Sequence, residues 1–129
     1  MVASLALEER EHTDRVFHAL ADATRRDIVA LTLHEERSVS ALARRYPMSV
    51  TAVQKHVAVL EHAGLVTRRR SGREQLVHGE AAALRRAHAL LDRLEVVWRD
   101  RIDRIGDLLE DEPTDPTAPT ATDRRGARR

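Results

Sequence analysis

The chain has 129 residues, enough for one domain of ordinary size or a domain with a tail. Apolar residues make up 42% and only three aromatics occur, Phe17, Tyr46 and Trp98, so Ala, Leu and Val must build the core, which favours helices over an all-β fold. Twenty-two basic residues nearly cancel 21 acidic ones, and the absence of cysteine excludes disulfides, thiolate zinc sites and cysteine nucleophiles.

Residues 8–20 read as a helix, with Val16, Phe17 and Leu20 three and four apart on one face. Asp22 can cap a second helix, Ala23 to about His34, whose apolar line is Ile28 and Leu31 with Val29 beside it. Ser38 to Ser40 is a hydroxyl-rich entry to a third helix, Ala41 to Arg45. Tyr46-Pro47-Met48 stops it, because proline disfavours α geometry in the residue before it. Ser49 caps a fourth helix running to Ala63, and Gly64 is its natural C-terminal stop. Two short β-capable runs follow, Leu65-Val66-Thr67 and Gln75-Leu76-Val77-His78. Arg68-Arg69-Arg70-Ser71-Gly72-Arg73 lies between them, with Ser-Gly as the hairpin turn. Glu80 to about Glu110 is helical again. Asp111 to Arg129, with three Pro, four Thr and almost nothing apolar, reads as a disordered Pro/Thr/Arg tail. The predicted organisation is thus a folded region at 1–110 and a tail at 111–129. The first residues have no basic lead, and no 18-residue apolar stretch occurs, so no secretory signal or membrane span is expected and the cytoplasm is the default location.

Charge is unevenly spread. Residues 41–79 hold Arg44, Arg45, Lys55, Arg68, Arg69, Arg70 and Arg73 against only Glu61 and Glu74, whereas residues 1–40 and 80–112 are each acidic on balance. A basic centre between acidic flanks predicts a local polyanion-binding surface. The fourth helix sharpens this. At 100° per residue Val53, Val57 and Leu60 face the core, so Thr51, Gln54, Lys55, Ala58 and His62 project outward with Ala52 at the edge. The outward face near its N-terminus is small or hydrogen-bonding, with one cation and no acid, and such a surface can approach phosphates and base edges. A plain solvated face is the alternative for an isolated helix. Here a short helix, a Pro-containing turn and this helix form a helix-turn-helix, followed at once by the arginine-bearing hairpin. Four Arg in six residues at a hairpin tip would repel one another without a polyanion to face.

Two blocks resemble a known family. Phe17-His18-Ala19-Leu20-Ala21-Asp22-Ala23-Thr24-Arg25-Arg26 followed by Ile28 looks like the opening signature of ArsR-type winged-helix repressors. Ser49-Val50-Thr51-Ala52-Val53-Gln54-Lys55-His56-Val57, with Leu60-Glu61-His62-Ala63-Gly64-Leu65-Val66, is similar to that family's recognition helix and wing start. The match covers about residues 10–105. It implies a dimeric bacterial transcription regulator, usually a repressor of its own operon. The family's DNA contacts map onto Ser49, Thr51, Gln54, Lys55, His56 and the wing residues Arg68, Arg69, Arg70 and Arg73. Gln54 departs from the Ser that many members carry, which leaves base preference open.

Metal sensing does not carry over with the resemblance. The family's Cys-Val-Cys motif aligns with Ser38-Val39-Ser40 and a later Cys with Ala43, and hydroxyls cannot replace thiolates for a soft metal. His88, Asp92 and Glu95 share one face of the last helix, but such spacing is common on charged solvated helices. No metal or other cofactor is expected. His56 lies at the border of core and groove faces, where packing and a phosphate contact are both open. His34-Glu35-Glu36 lacks the second His of a metalloprotease motif. No residue is a candidate for catalysis.

The last helix would span ~46 Å. Leu84, Ala87, Leu91, Leu94, Trp98, Ile102, Ile105 and Leu109 recur along it at spacings of three and four. One small core cannot cover so long a stripe, and soluble proteins avoid large exposed apolar patches. A second copy is the simplest cover, with Val16, Phe17 and Leu20 joining Leu91, Leu94, Trp98 and Ile102 at the interface. Packing within one subunit is the alternative for Trp98. The sequence therefore predicts a mainly α fold with a small β-hairpin wing: a winged helix-turn-helix of about five helices with a long C-terminal dimerisation helix. Its expected function is a homodimeric repressor on a near-palindromic duplex operator. Lys55 and the wing arginines would hold phosphates, and Ser49, Thr51, Ala52 and Gln54 would read bases. The rival reading is a protein-interaction module that docks a different partner on the long helix.

Overall fold

Nothing in residues 2–9 breaks a helix, and Ala, Leu and Glu there favour one, so α1 runs Val2–Leu20 and begins well before the expected start at residue 8. The computed structural model describes residues 2–110; the stretch expected to be a disordered tail, 111–129, lies outside the described residues. Asp22 caps α2 (Ala23–His34), its carboxylate accepting from the Arg25 N–H at 3.0 Å. A two-residue strand, β1 (Arg37–Ser38), follows without having been predicted. Ser38 then caps α3 (Val39–Ala43) through the Ala41 N–H at 3.0 Å. The third helix thus starts two residues earlier than expected, because Ser38 rather than Ser40 supplies the cap.

Ser49 caps α4 (Val50–His62) as predicted, accepting from the Ala52 N–H at 3.1 Å. Gly64, at φ +76°, ends it. The Leu65 N–H reaches the Leu60 carbonyl at 2.9 Å and the Gly64 N–H reaches that of Glu61 at 3.0 Å, the paired bonds of a Schellman stop. Leu60 and Leu65 are both fully buried beside it.

Strands β2 (Val66–Ser71) and β3 (Glu74–Gly79) form the hairpin, and β1 adds to the far side of β3, so the antiparallel sheet has the order β1-β3-β2. Ser71 pairs with Glu74, which makes Gly72-Arg73 the turn instead of Ser71-Gly72. A positive φ is needed at the first turn position, and Gly72 supplies it at +62°. Arg68, Arg69 and Arg70 consequently lie within β2, and only Arg73 sits at the tip.

Val16 and Ala19 of α1, Ile28 and Val29 of α2, Leu42 of α3 and Val53, Val57 and Leu60 of α4 close over Leu65, Val66 and Val77. Each fully buried Leu, Ile or Val is worth ~1.5–3 kcal/mol. Val16, expected at a subunit interface, is only 1% exposed: the face of α1 that carries it is used inside the subunit. Phe17 and Leu20 pack against the same core and keep part of their surface.

The final helix, α5 (Ala81–Glu110), starts with Ala83 and Ala87 buried in this core. The chain divides into two units, one ending at Asp92 and the other starting at Arg93. In the second, Leu94, Trp98, Ile102, Ile105 and Leu109 are all exposed, Trp98 at 57%. Among the described residues, no helix is long and apolar enough to cross a membrane.

Candidate nucleic-acid interface

Burial of Val53, Val57 and Leu60 fixes the roll of α4 and turns Ser49, Thr51, Gln54 and Lys55 to solvent, with Ala52 half-buried. The Ser49 oxygen is engaged as the cap, so its O–H remains the group free to donate outward. No carboxylate interrupts this face until Glu61 in the last turn.

His56 is half-buried beside Arg25, whose Nη1 lies 3.3 Å from the His56 Nδ1. A guanidinium can only donate, so Nδ1 accepts and the imidazole hydrogen is on Nε2. Arg25 also donates to the Ala19 carbonyl at 2.7 Å and the His18 carbonyl at 3.1 Å, closing the end of α1. At the border position foreseen for His56, one ring nitrogen is tied to the α1–α2 junction, and the other makes no hydrogen bond among the described residues. Arg25 is a positioning residue that periodicity could not reveal, since it lies 31 residues from His56.

Strand alternation sends Arg68 and Arg70 to one face of β2 and Arg69 to the other. Arg68 meets Glu61 of α4, its Nη2 and Nε donating to Oε1 at 2.7 and 3.2 Å. Arg69 meets Glu36, with Nη2 donating to Oε1 at 2.7 Å and Nε to Oε2 at 3.0 Å, a fork on a carboxylate. These hydrogen bonds hold the Glu61 and Glu36 carboxyls below the usual carboxylate range. The expected mutual repulsion of four wing arginines is therefore relieved for two of them inside the chain. Lys55, Arg70 and Arg73 make no ion pair among the described residues.

Along α5, Glu95 is paired with Arg99, one turn away. His88, Asp92 and Glu95 are not brought together as a ligand set; among the described residues no three His, Asp or Glu side chains are so placed.

A helix-turn-helix domain family matches residues 20–69, which spans α2, α3, α4 and the start of the wing. An HTH-type transcriptional regulator of Mycobacterium tuberculosis is 35% identical over 102 residues, covering 79% of this chain and 92% of the relative. An ArsR-like transcriptional regulator from Rhodococcus has a solved structure that is 32% identical with a TM-score of 0.67, covering 77% of this chain and 93% of that one. The chain belongs to the ArsR-type winged helix-turn-helix transcriptional regulators. A further relative of known structure, at 29% identity and a TM-score of 0.55, is described as a homodimeric winged helix-turn-helix DNA-binding domain of Mycobacterium bovis; the match covers 76% of this chain and 84% of that one. In this ArsR-type regulator the helix-turn-helix DNA-binding domain is the stretch 20–69, which holds α2, α3 and α4. Where the family's Cys-Val-Cys motif would stand, Ser38 is buried and spends its hydroxyl on capping α3.

Proposed function

We propose that this regulator is a homodimeric repressor that occupies a near-palindromic duplex operator. The observation that carries this reading is the exposed face of α4, where Thr51, Gln54 and Lys55 share a helix that bears no acid before Glu61 and stand next to a wing whose Arg70 and Arg73 make no ion pair among the described residues. Ser49, Thr51, Ala52 and Gln54 supply the base-reading groups, and Lys55, His56 and the wing arginines supply phosphate contacts.

Two supports favour a second copy as partner. Leu91, Leu94, Trp98 and Ile102 of α5 are all about half exposed, more apolar surface than a soluble chain leaves uncovered. The Mycobacterium bovis relative is a homodimer by its own description. Phe17 and Leu20 offer partial surface from α1; Val16 does not. A twofold pair would present its two α4 helices to successive major grooves about 34–36 Å apart.

The test is footprinting on the DNA upstream of the protein's own coding region, with sedimentation of the same sample. Protection of two half-sites one helical turn apart by a dimer supports the reading. A stable monomer that captures a different protein on α5 and shifts no duplex at low salt would replace it with the interaction-module reading.

A further inference from the structure

Glu36 and Glu61 are not among the residues proposed to contact DNA, yet each holds one of the arginines that are. Arg68 and Arg69 are adjacent in β2 and point to opposite faces, so one acid could not hold both. Two acids from different elements do so: Glu61 from the last turn of α4, and Glu36 from the segment between α2 and β1. Both pairs are solvent-accessible, with side-chain exposures of 27% and 40% for Arg68 and Glu61 and 62% and 28% for Arg69 and Glu36. Water screens pairs of this kind, so they add little to stability and can be exchanged. A DNA phosphate competes for the same guanidinium, but it must first displace a carboxylate that already satisfies it. Arg70 and Arg73, which have no such partners among the described residues, need no exchange.

We propose that Glu36 and Glu61 are specificity-determining residues, which withhold Arg68 and Arg69 from non-specific phosphates until a seated recognition helix fixes the wing against the operator. On arbitrary duplex the wing then engages with two free arginines per subunit; on the operator, four become available. The inference rests on the DNA-binding reading above.

The experiment compares the full chain with its E36Q/E61Q variant on a scrambled fluorescent duplex and on the upstream fragment, across a salt series. Glutamine keeps the shape and removes the charge that competes with phosphate. On scrambled duplex the variant should bind several-fold to about tenfold tighter, and its log K against log salt slope should steepen by up to ~0.9 for each arginine released. Affinity for the upstream fragment should change less, so the ratio between the two falls. In an R68A/R69A background the same E→Q changes should have no effect. The proposal is overturned if the variant matches the wild type on scrambled duplex. It is equally overturned if the gain persists in the R68A/R69A background, which would make it a general charge effect. A wild-type chain that binds no duplex even at low salt would fail the DNA-binding reading itself, and this proposal with it. The single variants E36Q and E61Q show whether one clasp suffices, and thermal melts confirm that each variant is folded.

Discussion

Tyr46 joins the helix-turn-helix turn to α2, its hydroxyl donating to the Asp27 carboxylate. Burial, and then the bond to Asp27, push the phenol up to about 12. A raised value means the neutral phenol is favoured in the folded chain. That stability is complete below the unfolded value near 10 and is lost as the pH rises toward 12. Because this is the sole tyrosine, tyrosinate absorbance reads it without interference. At pH 11 the native protein should be about one-tenth ionised, whereas the unfolded chain should be mostly ionised. A native midpoint near 10 would show that Tyr46 is free of Asp27. On the DNA face, Arg70→Ala and Gln54→Ala should separate two jobs. Losing Arg70, which has no internal partner among the described residues, should lower the magnitude of a dimer's salt slope by up to ~1.8 and weaken all sequences alike. Losing Gln54 should leave the slope intact and relax preference at one base pair per half-site, at ~1–3 kcal/mol for a bidentate contact. Salt titrations on operator and scrambled duplex decide between these outcomes, and unchanged base preference in Gln54→Ala would remove that residue from the readout.

At Gly79, β3 passes close to the backbone of α2. A Cβ built on Gly79 would lie 2.6 Å from the Leu33 backbone nitrogen and 2.9 Å from its Cα, and backbone cannot rotate aside as a side chain can. Gly79→Ala should therefore cost ~1–3 kcal/mol in urea unfolding, the usual range for overpacking. A loss below about 0.5 kcal/mol would mean that the helix slides along the strand to make room. At the start of α2, the Arg25 N–H holds the Asp22 carboxyl below its ordinary value. A depressed value gives stability that is present above the unfolded carboxylate range near 4 and is lost as the pH falls through the folded value. Asp22→Ala should cost about 1 kcal/mol at pH 7, and that difference should shrink as the solution is acidified past pH 4. A difference that stayed constant down to pH 2 would separate the cap from the charge.

For the molecule as a whole, the exposed apolar stripe sets the expected assembly. Trp98 is 57% exposed, and a second copy is the cover proposed for it. Trp98→Ala should shift the protein toward monomer and weaken operator binding while leaving the α4 face intact. A well-packed tryptophan is worth ~3–5 kcal/mol, a loss easily seen in sedimentation near the dissociation constant. An unchanged dimer would move the interface off this stretch of α5. In the proposed dimer the half-site spacing would follow from the same assembly, because two α4 helices related by a twofold would have to meet one face of the duplex.

By itself the sequence determined whatever depends on neighbours along the chain. Asp22, Ser49 and Gly64 mark the ends of α2 and α4 because a cap binds an N–H three residues on, or frees a φ at one position. The inward line Val53, Val57 and Leu60 follows from helical period alone, and it fixes the outward candidates Thr51, Gln54 and Lys55. Tertiary structure decided everything that needs a distant partner. Arg37–Ser38 becomes a strand only because β3 offers an open edge, and Val16 is closed inside because α1 packs on the domain's own core. Along α5 the apolar period is continuous, but Ala83 and Ala87 are buried in that core whereas Leu91, at the next turn, is exposed. The wing arginines show the division most clearly. Their number and order are plain in the chain, yet Arg69 finds Glu36 across 33 residues, and no local pattern encodes which cations remain free when such pairs close.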